Sequence, residues 1–144
     1  MKAIAAPRVA GYWGDSCSSF TLGRTTGAYQ ALFYKAKFAL DLALSEMRSG
    51  LKISALDKML RNVVEADGLI CHHHMGHSIG TSVHEWPRIL PVEHTELRED
   101  MVLMVEPGCY QPGIGGVRLE WMIHVTANGA RPVAPFDHVV EAVN

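Results

Sequence analysis

The apolar residues in the first half of the chain recur at the spacing of an amphipathic helix. Thr25 or Thr26 can cap this helix, and apolar positions at helical spacing continue to about Met47. Gly50 follows as a stop signal. The pattern therefore predicts one helix that runs from this threonine pair to about Met47.

A second, shorter helix is predicted directly after the first. Ser54 and Asp57 resemble a capping box, in which side chains satisfy the free backbone amides of a helix start. Apolar residues between positions 56 and 64 then share one face of the helix, and Gly68 marks its end. Two consecutive helices are therefore expected in the middle of the chain.

The segments on either side of these helices have strand-like sequence. Residues 5–22 predict two short strands around a turn at 11–14. After Gly68, short apolar stretches alternate with Gly, Pro and His, which is typical of strands and tight loops. Segregated helices beside a largely antiparallel sheet make an α+β domain. The later strands are predicted at 69–74, 82–84, 101–105, 116–125 and 132–134.

The composition is that of a single globular domain. The chain has 144 residues, 48% of them hydrophobic and 19% charged. A formal net charge of −2 provides no basic surface for nucleic acid or an anionic membrane. No apolar run approaches the roughly 20 residues that span a bilayer, and no targeting segment stands out, so we expect a cytoplasmic protein. The three cysteines are widely spaced and predict neither a disulfide framework nor a zinc motif.

Histidines are concentrated in one short stretch. Four of the eight lie between His72 and His77, and His84 follows seven residues later. In an extended segment His73 would point opposite to His72 and His74. We interpret His72 and His74 as part of a solvated run. The glycines that flank His77 let the backbone turn tightly and expose its imidazole, so His77 is a candidate functional residue.

Three acidic residues stand in apolar or aromatic sequence. Glu106 follows an apolar run, Glu120 lies in a strand-like segment, and Asp15 lies in a stretch rich in glycine and aromatic residues. A buried carboxylate is costly unless a cation or a metal compensates its charge. Two simpler interpretations remain open. Glu120 could lie in solvent or pair with Arg118 on one strand face, and Asp15 could cap a turn.

Together these residues form a candidate metal-ligand set with hard oxygen donors and one imidazole. Such a set suits Mn²⁺, Co²⁺, Fe²⁺ or Zn²⁺. A thiolate-rich zinc site is not indicated, because the cysteines are not at ligand spacing. The candidate ligands are Asp15, His77, Glu106 and Glu120.

Four motifs occur in a characteristic order. Residues 11–15 read Gly-Tyr-Trp-Gly-Asp, and residues 76–80, Gly-His-Ser-Ile-Gly, are followed by His-Glu-Trp-Pro at 84–87. Residues 106–110 read Glu-Pro-Gly-Cys-Tyr, and residues 115–120 read Gly-Gly-Val-Arg-Leu-Glu. This series resembles the pita-bread metallopeptidases of the aminopeptidase P, prolidase and methionine aminopeptidase type. The resemblance covers essentially the whole chain and implies the pita-bread fold, with helices packed on a curved, mostly antiparallel sheet.

The same resemblance implies a function and a role for each motif residue. Family members use a metal-activated water to remove N-terminal residues or split Xaa-Pro bonds of short peptides. By this likeness His84 and His73 would contact the substrate and the developing negative charge, and Glu106 would also shuttle the proton. Two of the metal ligands would bridge a pair of ions in a complete site. The ligands implied by the resemblance are Asp15, His77, Glu106 and Glu120.

Three departures from the family pattern bear on activity. The first metal-binding aspartate should lie eleven residues before Asp15, where this chain has Ile4. We therefore expect one divalent ion rather than two, and weak activity. Ser78 stands where glycine is usual and Trp121 where aspartate is common, and neither change removes a ligand. The chain also begins inside the family's first pseudo-repeat, so residues 1–144 are interpreted as a single, incomplete domain.

Two alternatives to the metallopeptidase remain, and both share its fold. The missing ligand favours a non-catalytic peptide- or protein-binding module. A creatinase-like hydrolase would rely on histidine without a metal, and the nearly complete ligand set argues against it. A domain without its first helices would leave apolar sheet surface uncovered. We therefore expect a homo-oligomer, or a fragment that depends on a partner.

Overall fold

The computed structural model describes residues 1–142, and the order of its elements agrees with the predicted α+β class. Short strands come first, two helices follow, and the remaining strands complete the domain. The elements are β1 (Lys2–Ala5), β2 (Arg8–Val9), β3 (Tyr12–Trp13), β4 (Ser16–Ser19), β5 (Thr21–Leu22), α1 (Gly27–Glu46), α2 (Ile53–Val64), a 3₁₀ turn (Ala66–Gly68), β6 (Gly76–Ser78), β7 (Glu85–Ile89), β8 (Val102–Val105), β9 (Gly108–Gln111), β10 (Gly115–Arg118), β11 (Trp121–Thr126), β12 (Gly129–Pro132) and β13 (Glu141–Ala142).

The predicted first helix is confirmed at both ends. The Thr26 hydroxyl accepts a hydrogen bond from the Tyr29 amide at 3.2 Å, which satisfies one of the free donors of the first turn. The helix ends at Glu46, one residue before the predicted Met47. Leu40 and other small or apolar residues on one face are fully buried, so packing reinforces the cap.

The predicted capping box of the second helix is wrong. Helix α2 begins at Ile53, after Lys52, and Ser54 lies inside the first turn. Backbone pairing of Lys52 with Glu96 fixes the chain before the helix, and the Ile53 side chain is fully buried. Asp57 is also fully buried, with its carboxylate bound by a side chain of the same helix. The regular helix ends at Val64 rather than at Gly68.

A five-stranded antiparallel sheet forms the second half of the domain. Its strand order is β12-β11-β8-β6-β7, and the two helices pack together beside it. Helix α1 contacts β9, β10 and β12, whereas α2 contacts β7. The shared core contains the buried residues of both helices and of the inward sheet face, among them Leu40, Leu56, Leu60, Ile89, Leu103 and Ile123.

Several strand boundaries in this half differ from the prediction. The strand predicted at 101–105 is confirmed as β8. Residues 69–74 and 82–84 are loops, and the strand expected at 82–84 begins only at Glu85, as β7. The predicted strand at 116–125 is broken at Leu119 and Glu120 into β10 and β11. Glu120 instead pairs its backbone with Cys17. The break reflects a long-range contact that local apolar pattern does not reveal.

The N-terminal segment forms two pairs of short strands. Strand β1 pairs with β4 and β2 pairs with β3, with the reversal at Ala10 and Gly11, which have φ of 49° and 89°. Ile4 lies in β1 opposite Cys17 and is 58% exposed. Among the described residues, no helix combines the length and the apolar character needed to cross a membrane.

Candidate metal centre

Backbone contacts bring Asp15 and Glu120 to the same place. Asp15 directly precedes β4, and the second residue of β4, Cys17, accepts a hydrogen bond from the Glu120 amide at 3.0 Å. The carbonyl of Arg118 accepts a further hydrogen bond from the Ser19 hydroxyl at 3.0 Å. The N-terminal strand pair is therefore attached to the chain around Glu120, more than 100 residues away.

The pairing of β6 with β8 places His77 beside Glu106. His77 lies opposite Met104 in this pair, and the Glu106 amide donates to the Met75 carbonyl at 2.9 Å. Gly76 allows the two strands to approach this closely, because a Cβ at that position would collide with the Met104 carbonyl oxygen. Glu106 directly follows β8 and lies opposite Met75, only two residues before His77, so the two candidate ligands lie close together.

Three of the four predicted ligands converge on one point. A ligand atom from each of Asp15, His77 and Glu120 lies within 4.8 Å of the other two. Glu106 lies at the edge of this cluster, with its Oε1 atom 3.8 Å from His77 Nε2. Its other oxygen, Oε2, pairs with Arg118 at 3.1 Å. The alternative pairing of Arg118 with Glu120 is therefore not the one that the structure has.

The His77 imidazole is arranged as a neutral ligand. Its Nδ1 lies 2.9 Å from the Ser78 carbonyl oxygen, which can only accept a hydrogen bond, so Nδ1 carries the proton. Nε2 is left with a free lone pair. Burial lowers the pKa of His77, so the neutral form is favoured. Fixing the tautomer through the other ring nitrogen is common for histidines that bind metals.

The carboxylates around His77 are poorly compensated. Burial raises the pKa of Glu120 to about 8, and the nearby charges of Glu106 and Asp15 act in the same direction. Burial also raises the pKa of Asp15. Burial acts on Glu106 in the same sense, but His74, Arg118 and His77 together outweigh it, and its pKa is lowered. The cluster therefore carries excess negative charge when its acids ionise.

Unpartnered polar atoms at the cluster fit a divalent cation. Within residues 1–142, Asp15 Oδ1, Glu106 Oε1 and Glu120 Oε2 are buried and have no hydrogen-bond partner. Buried polar atoms are normally satisfied, so such a group of oxygens requires an explanation. A metal ion held by these oxygens and His77 Nε2 would satisfy the lone pairs and neutralise the charge. The donor set matches the hard oxygen ligands and single imidazole that the sequence predicts.

The histidines predicted to contact substrate lie beside this cluster. The His84 ring centroid is 4.3 Å from that of His77. His73 Nδ1 donates to the His74 carbonyl at 2.7 Å, and His73 Nε2 accepts from the Tyr110 hydroxyl at 2.8 Å. Gly108 allows this pair to form, since a Cβ there would lie 2.7 Å from His73 Nε2. Burial lowers the pKa of His73.

The interpretation of His74 as a solvated residue is wrong. Its side chain is only 22% exposed, and Nδ1 lies 3.1 Å from Glu106 Oε1, although without the alignment of a hydrogen bond. The neighbouring His72 is exposed, as predicted. The run was expected to alternate along a strand, whereas the loop at 69–74 directs both His73 and His74 inward.

Tyr110 had no role in the sequence prediction, and Arg118 was considered only as a possible partner of Glu120. Tyr110 binds His73, and Arg118 binds Glu106. Tyr110 and Arg118 belong to the motifs at 106–110 and 115–120, so their place in a motif could have marked them as residues of the site. Charge alone could not indicate which of the two glutamates Arg118 contacts.

Comparison with known proteins identifies the family that this chain resembles. The sequence model of metallopeptidase family M24 matches residues 3–127. An Xaa-Pro dipeptidase of Pyrococcus horikoshii is 34% identical over 122 residues, which are 83% of this chain and 35% of that protein. A putative dipeptidase of Bacillus subtilis is 36% identical over 122 residues, 83% of this chain and 34% of that protein. The chain spans about a third of the length of these relatives.

Solved structures give the same result for the fold. The crystal structure of a prolidase from Pyrococcus horikoshii matches with a TM-score of 0.90 and 30% identity, over 95% of this chain and 40% of that one. This likeness confirms the predicted pita-bread fold.

Proposed function

The chain belongs to metallopeptidase family M24, and from this premise we propose that it hydrolyses N-terminal or Xaa-Pro bonds of short peptides with a divalent metal ion. The observation that carries the proposal is the convergence of Asp15, His77 and Glu120 within 4.8 Å. The names of the relatives, Xaa-Pro dipeptidase and prolidase, support the choice of substrate.

The proposed ligands of one ion are Asp15, His77 and Glu120, with Glu106 as the fourth. A divalent ion bound there would lower the pKa of a water molecule and polarise the peptide carbonyl. We propose Mn²⁺, Co²⁺, Fe²⁺ or Zn²⁺ because each accepts oxygen donors with an imidazole. A single ion is proposed because Ile4 offers no ligand atom at the place of the family's first aspartate.

Glu106 is suited to move the proton in this reaction. Its Oε1 atom makes no hydrogen bond within the described part of the chain, although His74 Nδ1 lies 3.1 Å away, and the lowered pKa keeps the carboxylate ionised and able to accept a proton. Arg118 holds the other oxygen in place. Glu106 can therefore take a proton from the attacking water and pass it to the leaving amine.

The two flanking histidines are suited to different tasks. His84, beside His77, can donate a ring N–H to negative charge that develops on the carbonyl oxygen. His73 Nε2 is an acceptor in the tautomer that its contact with the His74 carbonyl requires, and burial disfavours the protonated form of the ring. We therefore propose that His73 accepts a hydrogen bond from the substrate in exchange for the Tyr110 hydroxyl.

The proposal is tested by peptide hydrolysis with the metal content controlled. The purified chain is stripped with a chelator and assayed on an Xaa-Pro dipeptide, before and after Mn²⁺ is restored. We expect turnover only with the metal, and slower turnover of the matching dipeptide with alanine in place of proline. Metal binding without any hydrolysis would favour the non-catalytic binding module. Turnover that resists the chelator would instead indicate metal-independent chemistry.

Restoring the acid at position 4 is expected to raise the metal content. Ile4 lies in β1, which pairs with the β4 strand next to Asp15. In the Ile4→Asp variant we expect metal binding to rise from one ion towards two per chain, with faster hydrolysis, because a second set of oxygen donors is completed. Elemental analysis after gel filtration measures the content. The control is Ala3→Asp, because adjacent strand residues point to opposite faces. Equal gains in both variants would contradict the ligand scheme.

Assembly and location stay predictions. Ile4, Val9 and Tyr12 on the N-terminal strand pairs are more than half exposed, which supports association with a second copy or a partner. A cytoplasmic location remains the expectation from the sequence.

A further inference from the structure

The loop at 69–74 carries two residues of the centre without any regular secondary structure of its own. His73 reaches Tyr110, and His74 reaches Glu106. Backbone polar groups of a partly buried loop need partners other than a strand ladder. In this loop, side chains of helix α2 and of the residue that follows it supply them.

Arg61 is the main partner of the loop. Its Nη1 donates to the Cys71 carbonyl at 3.1 Å, and its Nη2 donates to the His73 carbonyl at 2.9 Å. The planar guanidinium presents donors in a rigid fork, so these two bonds fix both the position and the direction of the loop backbone. Lysine could not reproduce this geometry, because its ammonium is a single point charge.

Two carboxylates hold Arg61 in this orientation. Asp57 lies one turn before it, is fully buried, and accepts from Arg61 Nε at 3.0 Å. Glu65 lies one turn after it and accepts from Nη1 at 2.9 Å, while the same Glu65 oxygen accepts from the Cys71 amide at 3.3 Å. The three residues therefore bind one loop through both a backbone donor and two backbone acceptors.

We propose that Asp57, Arg61 and Glu65 form an ionic clamp that positions His73 and His74 at the metal centre. The catalytic part of this inference rests on the proposed function. In the described structure the clamp residues do not contact the candidate ligands or line the space between them. They are therefore positioning residues. Their effect passes through the carbonyl of His73 and the backbone on either side of it.

Net stability is a poor explanation for this clamp. Desolvation of the buried Asp57 carboxylate offsets much of its attraction to Arg61, and the pair between the partly exposed Arg61 and Glu65 is screened by solvent. Apolar side chains could not bind the carbonyls of Cys71 and His73. The geometry of the loop is thus the property that requires these charges.

The test compares variants by amide hydrogen exchange, histidine NMR and kinetics. The main variant is the double substitution Asp57→Asn, Arg61→Met, which leaves no unpaired buried charge. Arg61→Lys keeps the positive charge and tests whether the forked geometry of the guanidinium is required. Lys58→Met, on an exposed position of the same helix, controls for loss of a cation. Leu60→Ala controls for a destabilised core without loss of the clamp.

If the clamp positions the loop, the double variant should exchange faster at residues 69–74 while α1 and the sheet keep their protection. The His73 ring should lose its single Nδ1–H tautomer, and kcat should fall about 10–100-fold, as for groups that orient active-site residues. KM should change far less. The exchange rate at residues 69–74 and kcat of Arg61→Lys should lie between those of wild type and the double variant. Both quantities should match wild type in Lys58→Met.

If the double variant shows unchanged amide exchange at residues 69–74 and an unchanged His73 tautomer, the clamp proposal is wrong. An equal loss of kcat in Leu60→Ala would also overturn it, because general destabilisation would then suffice. The exchange and NMR measurements need no peptidase activity. A chain without any hydrolysis would therefore count against the proposed function, while the loop measurements would still decide whether the clamp exists.

Discussion

Replacing His77 with alanine is expected to lower metal affinity and peptide hydrolysis by more than about 100-fold, which exceeds the usual effect of losing a supporting hydrogen bond. His77 supplies the one nitrogen donor of the converging set, and the Ser78 carbonyl fixes its tautomer with Nε2 free. Isothermal titration with Mn²⁺ measures the affinity, and dipeptide turnover measures the rate. Both should fall together, because both depend on the same ion.

The matched control for this prediction is His72→Ala. His72 belongs to the same histidine run but is exposed, so its loss should leave metal affinity and turnover close to wild type. Circular dichroism should show both variants folded. If His77→Ala retains wild-type metal affinity, then His77 is not a ligand. If His72→Ala is equally impaired, the effect belongs to the histidine run rather than to the proposed centre.

In the metal-free protein, Glu120 is expected to lower the free energy of unfolding by about 3 kcal/mol as the pH rises from about 5 to about 8. Burial raises the pKa of Glu120 from its ordinary value of 4.5 to about 8. Folding therefore favours the protonated carboxyl. This stabilisation is fully present below pH 4.5 and is lost as the pH rises through 8. Above that pH, the folded chain must hold a buried carboxylate without a counterion.

The variant Glu120→Gln isolates this effect. Glutamine keeps the shape of the protonated acid but cannot ionise, so the metal-free variant should be more stable than wild type at pH 8 and nearly equal at pH 5. Urea unfolding with a chelator present, at both pH values, measures the difference. Glu99→Gln, at an exposed position, is the control for loss of an acid.

Wild type and Glu120→Gln should also differ in how strongly a metal ion stabilises them. An ion that binds only the folded state stabilises it by mass action. Mn²⁺ should therefore stabilise wild type at pH 8 but have little effect on Glu120→Gln, which lacks one proposed ligand. Equal pH dependence in wild type and variant would show that Glu120 is not the group that titrates. Equal stabilisation by Mn²⁺ would remove Glu120 from the ligand set.

The sequence was sufficient for those features that depend on neighbours along the chain. The first helix followed from a threonine cap and apolar positions at helical spacing, and α1 matches it within a residue or two. The four motifs in order led to the pita-bread fold, which the likeness to the Pyrococcus horikoshii prolidase confirms. They also selected the three residues whose ligand atoms converge, namely Asp15, His77 and Glu120.

Other local signals were overridden by long-range contacts. Ser54 and Asp57 had the spacing of a capping box, but backbone pairing of Lys52 with Glu96 places the helix start at Ile53, and Asp57 instead pairs with Arg61 one turn later. The apolar stretch at 69–74 suggested a strand, but it is a loop whose backbone is bound by the side chains of Arg61 and Glu65. In both cases residue spacing alone did not reveal the contact that decided the local structure.

By itself, the sequence determined the class of fold, the first helix and the types of donor available for a metal, because helical periodicity and motif order are local properties. Only the tertiary structure decided that Arg118 binds Glu106 rather than Glu120, that His74 faces the centre while His72 does not, and that Ile4 is exposed on β1. The physical reason is that charge pairing and burial depend on distance in space. Residues more than 100 positions apart, such as Cys17 and Glu120, are brought together only when the strands pair.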